Sequence, residues 1–186
     1  QVEDACARAA AAGVVCAASL NAPGQVVISG ERAAVVRACE IARGLGAKRI
    51  IPLEVSGAFH SPLMESAAAG LSEALEGISV HDALVPVVAN VSGEPLRRGG
   101  DIRAALRGQL LGAVRWEDSM RPIVAAGAQG FVEVGTGTVL RGLLRSLDKS
   151  IASWNVDDPE SLQTTLSTLA AGTGGPAPPA AGPESL

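Results

Sequence analysis

Tyrosine is missing from this chain, and two Phe and two Trp are its only aromatic residues. Proteins that hold single-stranded nucleic acid stack bases on such rings, so a stacking platform is excluded. Positive charge is also scarce: 15 Lys and Arg face 19 Asp and Glu, a net charge of −4, with no basic cluster. A nucleic-acid partner is therefore not expected. The longest apolar runs, such as residues 9–12 and 84–89, fall far short of the roughly 20 residues that cross a bilayer. No secretory signal pattern opens the chain, and no membrane partner is expected. The three cysteines, Cys6, Cys16 and Cys39, are odd in number and lack a CxxC spacing. That argues against a disulfide framework and a zinc site, and the expectation is a reduced, cytoplasmic setting without metal or cofactor. Each cysteine is expected to pack as a small apolar side chain.

What is present is a chain 47% apolar and 18% charged, sufficient for a packed interior in 186 residues. It opens on Gln1 directly inside a helical pattern (Val2, Ala5, Cys6, Ala9), with no capping residue, and its first Met is Met64. The expectation is a chain that starts within a domain.

Periodicity predicts a helix over 2–12, an extended stretch over 14–20, a Pro-Gly turn at 21–24 and a strand over 25–29. A helix over 31–43 follows, with Val35, Val36, Cys39, Ile41 and Ala42 inward and Gly44 and Gly46 as its stop, then a strand over 49–55. One leading strand added to this order would give the ferredoxin-like βαββαβ pattern. Ser61-Pro62 is a helix start, cap and first position, for a helix to about 75. Residues 84–88 read as a strand interrupted by Pro86, Asp101 as the cap of a helix to about 111, and 116–126 as another helix. A strand at 131–134, a turn at Gly135-Thr136-Gly137, a helix at 139–147, a strand at 151–154 and a helix at 159–169 complete an alternation that predicts an α/β fold with a parallel layer. Residues 171–186 are half Gly and Pro and are expected to be a disordered tail or linker.

Only two histidines exist. His81 reads as a solvated loop residue, whereas His60 stands on a bend directly before the Ser61-Pro62 helix start, where α/β proteins place functional groups. A histidine base must accept a proton at one ring nitrogen, so the N–H of the other needs its own acceptor. No serine lies in a G-x-S-x-G elbow, and Ser56, Ser61 and Ser92 all lie in turns, Ser61 better used as a cap. The sequence thus offers a base without an evident nucleophile. Gly135-Thr136-Gly137 before a helix is a weak anion-binding signal and not a dinucleotide fingerprint.

Five blocks in order carry more than any one of them: NAPGQVVISG (21–30), GAFHSPLM (57–64), PVVANVSG (86–93), QLLGAVRW (109–116) and EVGTGTVL (133–140). Together they resemble the malonyl-CoA:acyl carrier protein transacylase family, over residues 1 to about 169. The resemblance implies a partial α/β-hydrolase-like acyltransferase core with a ferredoxin-like small subdomain whose leading strand is missing. The domains would be 1–56 for the small subdomain, 57–170 for the C-terminal part of the core and 171–186 for the tail. It implies malonyl transfer from coenzyme A, through a serine acyl-enzyme, to the phosphopantetheine thiol of acyl carrier protein, in fatty-acid biosynthesis, by an enzyme that is monomeric when complete. His60 matches the family's catalytic histidine, and Gln109 falls where a backbone carbonyl orients it. Phe59 matches the ring that selects malonyl over bulkier acyl groups. Asn21, Gln25 and Asn90 fall in substrate-side motifs. Thr136 stands where the family has Pro.

The family's nucleophile, its carboxylate-binding arginine and its oxyanion donors precede the small subdomain and have no counterpart here. The chain alone is therefore expected neither to form an acyl-enzyme nor to complete its fold. Two alternatives stand beside this reading: an acyltransferase domain of a modular polyketide synthase, and a non-catalytic module that binds carrier protein.

Overall fold

The computed structural model describes residues 1–171, which form two compact units, Gln1–Met120 and Arg121 onward. Both combine helices and strands, the α/β content that the alternation in sequence predicts.

In the first unit α1 (Val2–Ala9) runs through a 3₁₀ turn, Ala10–Ala12, into the antiparallel hairpin of β1 (Val15–Ala22) and β2 (Gln25–Gly30), followed by α2 (Arg32–Gly44). Ala22 pairs with Gln25 across the Pro23-Gly24 loop. Proline presets the first central position of the turn, and Gly24, at φ +77°, takes the left-handed second one. Ala5, Ala9, Ala38 and Ile41 form the buried cluster, with Val15, Ile28, Ala42 and Leu45 packed on it. Alanines at the α1–α2 contact let the two backbones approach closely. The buried face of α2 is Ala34, Ala38 and Ile41, one helical turn apart. Val36, expected inward, is 54% exposed because it lies across the helix from that face, while Val35 and Cys39 flank it half-buried. Gly46, at φ +92°, ends the helix, with Gly46 N–H donating to the Arg43 carbonyl and Ala47 N–H to that of Ala42.

The run 49–55, expected as a strand, is irregular and pairs with no strand among the described residues. Ile51, Leu53 and Val55 keep the alternation of a strand yet are 56%, 58% and 65% exposed. β-branched composition does not make a strand without a neighbour to complete the hydrogen-bond ladder. The strand expected over 84–88 shrinks to β3 (Val87–Val88), antiparallel to β4 (Pro95–Leu96), since Pro86 has no N–H to offer.

A 3₁₀ turn, Pro62–Met64, leads into α3 (Glu65–Glu76). Farther along come α4 (Gly99–Gly108) and α5 (Trp116–Ala125). Asp101 is not the cap of α4 but lies in its first turn. Arg98 is the cap residue, and Asp82 supplies the carboxylate that accepts from Gly99 N–H at 2.8 Å. Arg103 of α4 donates to the carbonyls of Leu75 and Ile78 at the end of α3, which fastens the two helices together. β1 is bonded to the segment after α4. Leu20 N–H donates to the Val114 carbonyl and Val114 N–H to the Ala18 carbonyl, each at 2.8 Å.

The second unit contains β5 (Gly130–Val134), α6 (Val139–Leu147), β6 (Ala152–Val156) and α7 (Pro159–Ala170). β5 and β6 are parallel, the pairing that a helical crossover such as α6 permits. Asp158 caps α7 in a capping box with Ser161, whose N–H lies 2.7 Å from the carboxylate. The tail expected over 171–186 lies, beyond residue 171, outside the described residues. No helix among the described residues is long and apolar enough to cross a membrane.

Gly30 closes β2 where a Cβ would lie 2.1 Å from the Val14 carbonyl oxygen and 2.7 Å from Val15 Cα. Gly30→Ala is expected to destabilise the first unit by about 2 kcal/mol, read as a lower urea midpoint for the hairpin's amide protection. The Ser161 N–H, and after it the Ser161 hydroxyl, hold the Asp158 carboxylate below the usual range. Its contribution to α7 is then present above the unfolded carboxylate pKa of about 4 and is lost as pH falls through the lower folded value. Circular dichroism against pH should show Asp158→Asn with a flatter acid limb than the parent chain.

Candidate active site

His60 adopts φ +60°, the one non-glycine residue in left-handed backbone among the described residues. That conformation costs an L-residue about 1–2 kcal/mol and persists only where the surroundings impose it. Ser61, fully buried, donates its hydroxyl to the Ala58 carbonyl at 2.6 Å and accepts from Leu63 N–H at 3.3 Å. It is therefore committed to capping the 3₁₀ turn. The thiol of Cys16, on β1, lies 3.5 Å from the His60 carbonyl. The third restraint acts on the ring itself.

α4 ends at Gly108, and the chain turns back on itself through Gln109. The Gly108 carbonyl accepts from Leu111 N–H at 3.3 Å and Gly112 N–H at 2.9 Å. The next free carbonyls, of Gln109 and Gly112, lie 3.0 and 3.1 Å from His60 Nδ1. Both partners only accept, so Nδ1 carries the hydrogen and Nε2 keeps its lone pair. Among the described residues every hydrogen bond of the ring is made at Nδ1.

The acceptor turn is held from two sides. A Cβ at Gly112 would lie 2.5 Å from Val91 Cγ2 and 3.1 Å from the Gly108 carbonyl, so only glycine lets the turn sit this close. Arg115 N–H donates to the Asn90 carbonyl at 2.8 Å. The structure thus brings Asn90 beside the acceptor turn. Phe59, next to His60, is 45% exposed and folds its ring towards Gly57. Asn21 sits at the irregularity in β1 between the Leu20–Val26 and Ala22–Gln25 pairs, next to the residue that holds Val114, while Gln25 lies exposed at the hairpin turn. Nothing in the described residues joins the Asn21 or Gln25 side chain to the histidine. Ser56 is exposed and Ser92 is engaged with Glu94 N–H at 3.2 Å, so neither serine is bonded to Nε2.

The Gly135-Thr136-Gly137 turn does not hold an open anion site. Glu133 folds its carboxylate onto the N-terminus of α6, accepting from Leu140 N–H at 3.0 Å and Arg141 N–H at 2.9 Å. The helix end that could attract an anion is already neutralised from within the chain. The three cysteines are unpaired, with Cys6 buried and the others half-buried, and no group of metal ligands occurs among the described residues. Sequence reasoning missed Gly112 and Val114, because a main-chain acceptor leaves no mark in the identity of its side chain.

No family model matches the chain. It is 45% identical over 152 residues to the malonyl CoA-acyl carrier protein transacylase of Bacillus subtilis (strain 168), covering 82% of this chain and 48% of that protein. The crystal structure of MCAT from Streptococcus pneumoniae superposes with a TM-score of 0.85 at 39% identity, over 90% of this chain and 54% of that one. A malonyl-transacylase in complex with a type II PKS acyl-carrier protein superposes with a TM-score of 0.85 at 38% identity, over 90% and 54% of the two chains. The chain spans about half the length of the curated relatives it matches. Over that half, in sequence and in fold, it belongs to the malonyl CoA-acyl carrier protein transacylase family.

Proposed function

We propose that the chain supplies the histidine part of an S-malonyltransferase site, which moves malonyl from coenzyme A to the phosphopantetheine thiol of acyl carrier protein. The observation that carries this reading is the His60 ring, fixed at Nδ1 by two main-chain carbonyls and open at Nε2. Its relatives are named for that reaction, and one was solved with a carrier protein. The nucleophile is a serine on polypeptide outside these residues.

In the forward half-reaction Nε2 takes the proton from the serine hydroxyl as its oxygen attacks the malonyl thioester carbonyl. The imidazolium then holds one proton on each nitrogen. Nδ1–H keeps donating to Gln109 and Gly112, whose carbonyl dipoles stabilise the new positive charge. Nε2–H next passes to the departing coenzyme A thiolate as the carbon–sulfur bond breaks, leaving malonyl-serine and free thiol. The second half runs the same steps in reverse: Nε2 deprotonates the phosphopantetheine thiol, its sulfur attacks the ester, and the proton returns to the serine oxygen. Gln109 contributes through its peptide oxygen, and its side chain has no part in the step. Phe59 flanks His60 on the substrate side, where a bulky ring crowds an α-methyl branch and so favours malonyl. Asn21, Gln25 and Asn90 would act on the substrate side, Gln25 and Asn90 exposed and Asn21 half-buried. No metal or cofactor enters any of these steps.

The finer fold follows the same reading. The α1-β1-β2-α2 run would be part of a ferredoxin-like subdomain, and the rest part of an α/β-hydrolase-like core, set in a monomeric, cytoplasmic enzyme of fatty-acid biosynthesis. Residues 49–55 keep an alternating apolar face without a partner, as a strand would whose neighbour belongs to polypeptide outside this chain.

In the enzyme completed with its nucleophile-bearing part, His60→Ala is expected to lower malonyl transfer to carrier protein by about 10²–10⁴-fold, measured with radiolabelled malonyl-CoA. Near-normal turnover in that variant removes His60 from the chemistry. The chain alone, incubated with the same reagent, should carry no covalent malonyl group by intact-protein mass spectrometry; a stoichiometric adduct places the nucleophile among these 186 residues and overturns the division of labour.

A further inference from the structure

Strand β1 touches both halves of the histidine's support. Cys16, near its start, reaches the His60 carbonyl at 3.5 Å. Ala18 and Leu20, on the same strand, clasp Val114 through two hydrogen bonds of 2.8 Å. Val114 lies only two residues past Gly112, whose carbonyl accepts from the ring. One strand therefore sets the main chain that carries the imidazole and also the turn that receives its N–H. The relative position of donor and acceptor is thus tied to one strand instead of to two separate loops.

The contact at Cys16 has a specific task. No main-chain N–H outside regular elements donates to the His60 carbonyl among the described residues. Its hydrogen-bond donor among the described residues is the Cys16 thiol, which also lies 3.7 Å from the carbonyl of Ser29, its partner across the hairpin. Burial raises the Cys16 pKa, so the sulfur keeps its hydrogen and remains a donor near neutral pH. Without that donor the His60–Ser61 peptide loses the restraint on its carbonyl, and His60 can relax from its costly conformation. The ring would then swing away from Gln109 and Gly112.

We propose that β1 is the positioning strand of this site, with Cys16 a positioning residue acting through the His60 main-chain carbonyl and Val114 the anchor of the acceptor turn. The proposal rests on the catalytic reading of His60 only for its consequence in turnover. Its structural core is the state of the ring, and that is measurable without turnover.

The test uses the full chain labelled with ¹⁵N-histidine, with His81→Ala to assign the two rings. The parent should show His60 as the Nδ1–H tautomer with a slowly exchanging ring proton. Cys16→Ala, which deletes the donor, should give a mixture of tautomers and speed exchange of that proton by about threefold or more, a weak hydrogen bond's worth. Cys16→Ser, which restores a donor, should return both to parental values. Val114→Pro, which removes the N–H donated to Ala18, should shift the tautomer as Cys16→Ala does; if that variant fails to fold, the Cys16 pair decides alone. A folded Cys16→Ala with the parental tautomer and exchange rate overturns the proposal, even if its melting temperature drops, because a packing role alone would leave the ring unchanged. In the completed enzyme Cys16→Ala should lower kcat about threefold with the KM for malonyl-CoA unchanged. A parent enzyme that transfers no malonyl, while the tautomer still responds to Cys16, sinks the functional reading and leaves the positioning strand standing.

Discussion

Two main-chain carbonyls of the turn that follows one helix, aimed at one ring nitrogen, are the constraint on which the site depends. Backbone oxygens cannot take up a proton near neutral pH, so they assign the imidazole hydrogen without competing for it. A carboxylate in the same place would attract the cation more strongly, but it would bring its own charge and its own desolvation cost. Here the acceptors are the peptide oxygens of Gln109, which caps α4, and of Gly112 in the turn beyond it. The ring N–H satisfies carbonyls that would otherwise need water, and the carbonyls in turn define which nitrogen is basic. Stability and chemistry share the same two bonds.

The geometry around those bonds is close-fitting because small residues permit it. Gly112 lets the acceptor turn come against Val91, and Gly30 lets the hairpin close on Val14. Ala5, Ala9, Ala34 and Ala38 let the two flanking helices settle on the hairpin with little side-chain bulk between backbones. A chain poor in aromatics and rich in Ala and Gly builds precision from backbone proximity instead of large interlocking side chains. The strain at His60 is tolerated in that setting because carbonyl, ring and following cap are each restrained by a different neighbour.

The same principle explains what the chain does not finish. Ile51, Leu53 and Val55 present an apolar edge, Leu84 stands almost fully in solvent, and Val85 is largely exposed. These are side chains of a core face without the layer that would cover it. Relatives of twice the length share the arrangement of the described residues.

Local chemistry alone determined much of this protein: the Pro-Gly turn of the hairpin, the Ser61 cap and the glycine stop of α2 were all legible because each depends on neighbours in sequence. Residues 49–55 were misread for the opposite reason, since a strand exists only with a partner that composition cannot supply. Glu133 quenching the α6 terminus, Asp82 capping α4 from a distant loop, and the Gly112 carbonyl beside Gln109 were decided by tertiary structure. In each, a group met another from elsewhere in the chain, and a peptide oxygen or a folded-back carboxylate is named by where the backbone goes, not by the letter at its position.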